Sequence, residues 1–348
     1  MAMDGDGAQG SVIQLAHGGG GALSQHWIRH WLQPALGSEA TALHDAALLS
    51  AAGGTLAVST DSFVVKPLVF AGGDIGRLAV LGSLNDLAMV GARPLALSLA
   101  LILEEGLPMA TLEQVMASIR LACEQCEVAV ITGDTKVVER GNADGVFINT
   151  TAIGCVEHGL ELSPLAVRPG DAVLVSGDLG RHGLAILAAR PELGLRTAIR
   201  SDLAPLRPTV QRLLEAGLRL HCLRDLTRGG LGGAIDEIAR DARCVIELDE
   251  PAIPHHPAVA GACALLGLDP LTMANEGRMV VICPGDQAEA ALALLRAEHT
   301  SAVRIGTVVS PIPNNDPVAA LHPVKLRNAL GVVRPLDVGR GEQLPRIC

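Results

Sequence analysis

Four aspartates and one cysteine are the residues of this sequence best suited to chemistry. Asp61 lies in Ser59-Thr60-Asp61-Ser62 and Asp86 in Asn85-Asp86-Leu87-Ala88-Met89. Asp134 lies in Thr132-Gly133-Asp134-Thr135-Lys136, and Asp225 in Leu223-Arg224-Asp225-Leu226-Thr227-Arg228. Three of them follow runs that read as strand ends, and Asp86 sits inside an apolar helical stretch. Carboxylates in such surroundings are costly unless they are paired or bind a cation. Singly, each serves as well for a helix cap or a turn. As a set they point to a Mg²⁺–nucleotide site, because Mg²⁺ takes one or two carboxylates together with phosphate oxygens. The cysteine is Cys348, the last residue of Pro345-Arg346-Ile347-Cys348. A chain end is normally solvated and a structural free cysteine buried. The thiol therefore reads either as an accident of the end or as the carrier of a covalent group, a metal or a crosslink. A prenylation box is excluded, since it places its cysteine fourth from the end.

Other candidate motifs carry less. Gly5-Asp6-Gly7-Ala8-Gln9-Gly10 matches a dinucleotide fingerprint in letters only, with no strand before it and no helix after it. No Walker A lysine motif is present. Cys123-Glu124-Gln125-Cys126 has zinc or redox spacing but falls on an amphipathic helix without a second ligand pair, so core packing is the better reading. Leu15-Ala16-His17 followed by Gly18, Gly19, Gly20 and Gly21 is either a flexible link or a backbone nest for an anion.

These residues must be held by a framework, and the composition bounds it. At 348 residues the chain has room for two domains. With three Phe, two Trp and no Tyr it offers almost nothing on which single-stranded nucleic acid could stack. Its net charge of −10 repels nucleic acid and anionic lipid alike. No secretory signal and no membrane-length apolar run is seen, and the eight cysteines are scattered, which is the pattern of a reducing, cytoplasmic protein.

Periodicity gives the order of elements. After a glycine-rich segment over 1–40, with a short helix near Gln25 to Gln33, a first α/β domain spans 41–165. It holds strands at 55–65, 94–103, 128–131 and 146–156, a helix beginning at Asp74, and a second helix capped by Thr111. A second α/β domain spans 166–310, alternating five strands and five helices. From Pro311 the pattern dissolves, so 311–348 reads as a flexible tail that carries Cys348.

Eight stretches together resemble the HypE family of nickel–iron hydrogenase maturation proteins. They are LAHGGGG (15–21), STDSFVVKPLVF (59–70), GGDIGRLAVLGSLNDLAMVGARPLALS (72–98), ITGDTKVVERG (131–141), FINTTAIG (147–154), RDLTRGGL (224–231), ANEGR (274–278) and PRIC (345–348). The likeness runs through nearly the whole chain after residue 12. One departure is Ala71, where the family pattern has proline. That family belongs to the superfamily of aminoimidazole ribonucleotide synthetase and selenophosphate synthetase. The resemblance implies an α/β (α+β) two-domain PurM-like fold, with N-terminal domains that pair across a homodimer into a β-barrel. It implies that HypF loads a carboxamide on Cys348, that ATP-dependent dehydration turns it into a thiocyanate, and that the cyano group passes to iron on a HypC–HypD complex. Carried onto this sequence, Asp61, Asp86 and Asp225 would hold Mg²⁺. Gly18, Gly19, Gly20, Thr60, Asp74, Gly133, Asp134 and Thr135 would bind ATP. Lys136 would offset charge, and Glu276 would be the general base, unless it merely orders its loop by pairing with Arg278 or capping backbone N–H groups. A small-molecule phosphotransferase of the same superfamily and a non-catalytic nucleotide-binding carrier are the alternatives.

Overall fold

The computed structural model describes residues 13, 21–36, 44–51, 53–313, 316–338 and 346–348. Two mixed sheets organise them. The first contains β1 (Ala47–Ala51), β2 (Gly54–Phe63), β5 (Ala92–Glu104), β6 (Val130–Val138) and β7 (Val146–Val156), in the order β1-β2-β7-β5-β6. All neighbours are antiparallel except β5 and β6, which run parallel. Within one chain this sheet is open and forms no closed barrel, with β1 and β6 as its edges. A two-stranded ribbon, β3 (Val69–Phe70) and β4 (Gly73–Asp74), leads into α3 (Ile75–Met89).

Helix α3 is the hub of the molecule. It packs against β2, β5, β7 and α4 (Met109–Gln125) of its own domain, and against β9 (Cys222–Asp225) and α6 (Arg207–Glu215) of the other. That is why it is buried nearly all round and carries no amphipathic stripe. Helix α4 does carry one, with Val115, Ile119, Ala122 and Cys123 turned inward. It begins at Met109 behind Pro108, two residues ahead of the expected Thr111 cap. Cys123 and Cys126 pack at the first core, and burial pushes the Cys126 thiol up to about 11, as a packing role requires.

The second sheet has the order β14-β13-β10-β12-β8-β11-β9. Its strands are β8 (Asp171–Val175), β9, β10 (Cys244–Asp249), β11 (Met279–Pro284), β12 (Val303–Pro311), β13 (Val324–Arg327) and β14 (Val333–Pro335). One face is covered by α7 (Gly230–Ala242), whose Leu231, Ile235 and Ile238 join the core built on Val173, Val280 and Ile305. The other face is covered by α6 and α9 (Ala288–Glu298). Helices α5 (Arg181–Ala188) and α8 (Pro257–Leu266) form a smaller cluster with Met273.

Two segments differ from the sequence reading. Residues beyond 311 do not simply trail away. Helix α10 (Pro317–Leu321) leads to β13, which pairs in parallel with β10, and β14 closes that edge. Val324 and Leu326 are buried on the sheet core, so the second domain extends through this region. The final residues are also docked, as described below. Near the other end, α1 (Gly21–Trp27) continues through a π-helical turn over 28–32 into α2 (Gln33–Leu36), and α1 lies on α7. Among the described residues no helix is long and apolar enough to cross a membrane.

Candidate active site

Alternation along β2 sets the first part of the site. Ser59, Asp61 and Phe63 fall on one face of the strand, turned toward α3. Asp86 comes from α3, and the Ser59 hydroxyl donates a short hydrogen bond to its Oδ2. One turn earlier on that helix is Gly82. A Cβ there would come 2.7 Å from the Phe63 ring, so glycine keeps the cavity wall thin. Asp225 arrives from the other domain as the last residue of β9. These side chains line a cavity of ≈ 370 Å³ together with His44, Asp45, Thr60, Thr227, Arg228, Glu276 and Cys348.

The cavity is acidic and short of partners. One carboxylate oxygen each from Asp45, Asp86 and Asp225 lie within 4.8 Å of one another. Asp45 Oδ2, Asp225 Oδ2 and Glu276 Oε1 are buried without a hydrogen-bond partner. Burial is the main cause that drives these groups toward the protonated form, and mutual repulsion adds to it. Asp45 rises to about 6 despite Arg224 beside it. Asp86, Asp225 and Glu276 rise well above the carboxylate range, and Asp61 is raised as well. Orphaned oxygens converging on one point fit a hard divalent cation, whose charge would reverse this cost. Arg228 is the only Arg or Lys among the described residues lining the cavity.

Glu276 is held there by a rigid loop. Asp202 Oδ2 accepts from the backbone N–H groups of Glu276 and Gly277 at 3.2 and 3.0 Å, and its Oδ1 accepts from His182 N at 3.1 Å. Asn275 donates to the Leu226 and Met273 carbonyls and accepts from Gly180 N. A side chain at residue 277 would strike the Asp202 carbonyl. Asn85, next to Asp86, donates to the Glu276 and Ala204 carbonyls and accepts from Leu206 N, which locks this loop to α3. Arg278 does not pair with Glu276. It binds the Asp178 carboxylate and carbonyl and the Gly277 carbonyl instead. The Glu276 carboxyl is thus left facing the cavity.

Cys348 reaches the same cavity because its neighbours are clamped between the domains. Just past the end of β2, Val64 N donates to the Cys348 carbonyl at 3.1 Å and Lys66 N to the Arg346 carbonyl at 3.2 Å. From α5, His182 Nε2 donates to the Ile347 carbonyl at 2.9 Å, while its Nδ1 accepts from Ser201 Oγ at 2.8 Å. The Ile347 side chain is 3% exposed within the first core. Arg346 pairs with Asp144 and lies 5.5 Å from the centre of the Phe147 ring. The expectation that this segment hangs free is therefore corrected.

Several residues expected at the site lie elsewhere. Asp74 caps α3 by accepting from Arg77 N at 3.0 Å and is buried away from the cavity. Asp134 sits inside the exposed edge strand β6, not beyond a buried one, and pairs there with Lys136 at 2.6 Å. In one chain neither meets the acidic cluster, and Thr135 shares their strand. Gly133 pairs with Leu99 of β5, whose carbonyl any Cβ there would strike. Thr60 does line the cavity, with its hydroxyl donating to the Thr150 carbonyl at 3.2 Å. Gly18, Gly19 and Gly20 lie outside the described residues. Asp45, His44 and Arg228 escaped the sequence reading. The only signal for Asp45 is an acid placed two residues ahead of a strand.

The halves of the chain match two family models, AIR synthase related protein N-terminal domain over 43–156 and C-terminal domain over 168–311. The carbamoyl dehydratase HypE of Rhodobacter capsulatus is 46% identical over 97% of this chain and 98% of its own length. The chain belongs to the HypE family of carbamoyl dehydratases. A crystal structure of a HypE in complex with ATP superposes with a TM-score of 0.80 at 44% identity, covering 96% of this chain and 100% of that one. A HypE from a HypE–HypF complex superposes with a TM-score of 0.82 at 39% identity, covering 89% and 99%. As a HypE the chain is an enzyme with the two-domain PurM-like fold, as its sequence motifs imply.

Proposed function

We propose that this HypE dehydrates a thiocarboxamide on its own Cys348 to a thiocyanate at the expense of ATP, supplying the cyanide ligand for the iron of nickel–iron hydrogenases. The observation that carries the reading is the docking of Cys348 into the cavity shared by Asp45, Asp61, Asp86, Asp225 and Glu276. A small-molecule phosphotransferase or a passive carrier would have no use for its own thiol against such a cluster.

The overall change is R–S–C(=O)–NH₂ + ATP → R–S–C≡N + ADP + phosphate. The γ-phosphoryl group moves to the amide oxygen, the nitrogen gives up two protons, and the C–O bond breaks as phosphate departs. The chain's residues divide this work. The clamp of Val64, Lys66 and His182 fixes the sulfur, so the amide is presented in one orientation. Glu276 takes a nitrogen proton, its Oε1 being without a hydrogen-bond partner and its backbone held by Asp202. Asp45, Asp86 and Asp225 would hold Mg²⁺, with Asp61 beside them, and Arg228 adds positive charge near the phosphates. When bound, the cation would neutralise charge developing on the transferring phosphoryl group. It would also keep Glu276 ionised.

Lys136, Asp134, Thr135 and Gly133 enter this scheme through a second copy. Strand β6 is an unpaired edge exposing Val130, Ile131 and Val137, and such an edge is a template for another strand. We infer a homodimer in which the first sheets pair along β6 to close a barrel, so that Lys136 serves the site of the partner copy. The partners are HypF, which loads the carboxamide, and HypC–HypD, which takes the cyano group. The compartment is the cytoplasm, in keeping with cysteines scattered along the chain rather than spaced as a disulfide framework.

The test is intact mass of the Cys348 peptide after incubation with HypF, carbamoyl phosphate and ATP. Carboxamide loading followed by loss of one water mass is expected, and both should vanish in Cys348→Ala. A thiocyanate adduct on any other residue would refute the assignment.

A further inference from the structure

A chain of charged contacts runs from the outside of the molecule to Asp45. Arg224 of β9 turns its Nε to Asp45 Oδ1 at 2.7 Å and an Nη to Glu237 Oε2. The other oxygen of Glu237 accepts from Gln25 Nε2 of α1 at 2.9 Å. One turn further along α7, Asp241 receives Arg29 of the π-helical turn at 2.6 Å. The Asp45, Arg224 and Glu237 side chains are only 7, 13 and 16% exposed, so they interact with little screening.

Geometry gives this chain a purpose beyond neutralising Arg224. A guanidinium is a rigid fork whose donors point in fixed directions. Anchoring one prong on Glu237 decides where Nε points, and Nε occupies Asp45 Oδ1. That leaves Asp45 Oδ2 without a hydrogen-bond partner, on a carboxylate clustered with those of Asp86 and Asp225. If Glu237 lets go, Arg224 either takes both oxygens of Asp45 or lets the carboxylate rotate. Each outcome weakens a cation held by that oxygen.

We propose that Glu237 is a positioning residue that aims Asp45 through Arg224, and that Gln25 extends this control to the N-terminal helix. The docking of α1 on α7 then tunes the cation affinity of a site it does not touch. The proposal rests on reading Asp45, Asp86 and Asp225 as the cation ligands.

The experiment is a Mn²⁺ titration followed by electron paramagnetic resonance, on full-length protein with a non-hydrolysable ATP analogue present. Glu237→Gln should bind Mn²⁺ about 10–100-fold more weakly, the usual cost of losing an outer partner of a ligand. Gln25→Leu removes no charge and should still weaken Mn²⁺ severalfold. It also carries the test if Glu237→Gln does not fold. Binding of the analogue without metal should be unchanged in both. Weakening in Glu237→Gln with none in Gln25→Leu would reduce Glu237 to a source of charge and overturn the proposal. Unchanged affinity in both variants, with Mn²⁺ lost in Asp86→Asn, overturns the relay and leaves the cation site standing. Absence of Mn²⁺ binding to the wild type, or its persistence in Asp86→Asn, overturns both.

Discussion

Ile347→Ala should undock Cys348 while leaving both domains folded. The Ile347 side chain is almost fully buried in the first core, whose other members include Phe70, Ile186, Leu203 and Ala274 from both domains. Burying an isoleucine contributes about 1.5–3 kcal/mol. The backbone bonds to Val64, Lys66 and His182 do not depend on that side chain and survive the change. Taking ~2 kcal/mol as the loss, the docked-to-undocked ratio falls roughly 30-fold, at ~1.4 kcal/mol per decade. Two assays read this shift. Alkylation of Cys348 by iodoacetamide, followed on its peptide by mass spectrometry, should accelerate by up to that factor. Single-turnover dehydration of preloaded protein should slow once the docked fraction drops below one half. The melting temperature should move little, because the terminal segment undocks without unfolding either sheet. A wild-type alkylation rate in Ile347→Ala would refute the argument, since it would mean that the side chain contributes nothing to holding the thiol.

Three further outcomes follow from the cavity. Asp86→Asn keeps shape but removes a charge, and ATP turnover of loaded protein should drop ~10²–10³-fold, whereas unchanged turnover at saturating Mg²⁺ would move the cation elsewhere. Glu276→Gln should bind ATP and accept carboxamide normally, then stall ~10²–10⁴-fold before thiocyanate. If instead it melts earlier and binds ATP weakly at a normal single-turnover rate, the carboxyl only orders its loop. Metal-free protein should melt higher at pH 6 than at pH 8. Asp45 sits at about 6 in the fold against an ordinary 3.8, and Asp86, Asp225 and Glu276 are raised further, so the folded state binds protons that the unfolded chain has released. Their stabilising contribution is complete below the ordinary value and is lost as pH rises through the raised one. His44, lowered to about 4 from 6.5, works the other way, as do His182, His255 and His299, which burial also lowers. Asp61 and Glu237 add to the raised carboxyls, of which Asp86, Asp225 and Glu276 rise furthest and set the sign. Saturating Mg²⁺ and ATP should flatten the slope. A metal-free melting temperature that climbs from pH 6 to 8 would contradict the buried carboxyl cluster.

The sequence made some of this architecture visible and hid the rest for physical reasons. Strand β7 appears at its expected bounds, because alternation is a local signal. Asp61 and Asp225 were marked by strand ends, Asp86 by an apolar helical stretch and Glu276 by the family motif, and the fold brings them together across more than two hundred residues. Asp45 carries no such mark, since its value comes from Arg224 and α7, far away in sequence. Asp74 shows how alike a cap and a ligand look in sequence, and in the fold it caps α3. Strand β13 was missed since its partner β10 lies some eighty residues earlier, and four residues give little periodicity. Asp134 and Lys136 would meet a site only across the proposed dimer, and a single chain carries no signal for a contact made between two copies.

Val338, which packs against the second core, is the last described residue before Arg346. Nine residues lie between Val338 and Cys348, so over ten Cα steps the thiol, once undocked, stays within at most ~33–36 Å of Val338. A loading enzyme must bring its own catalytic pocket inside that radius while gripping this chain elsewhere. Within it, the thiol is presented at an effective concentration fixed by leash length and independent of protein abundance. Inserting flexible residues between 338 and 346 should therefore slow loading only gently, whereas deleting them should stop it abruptly.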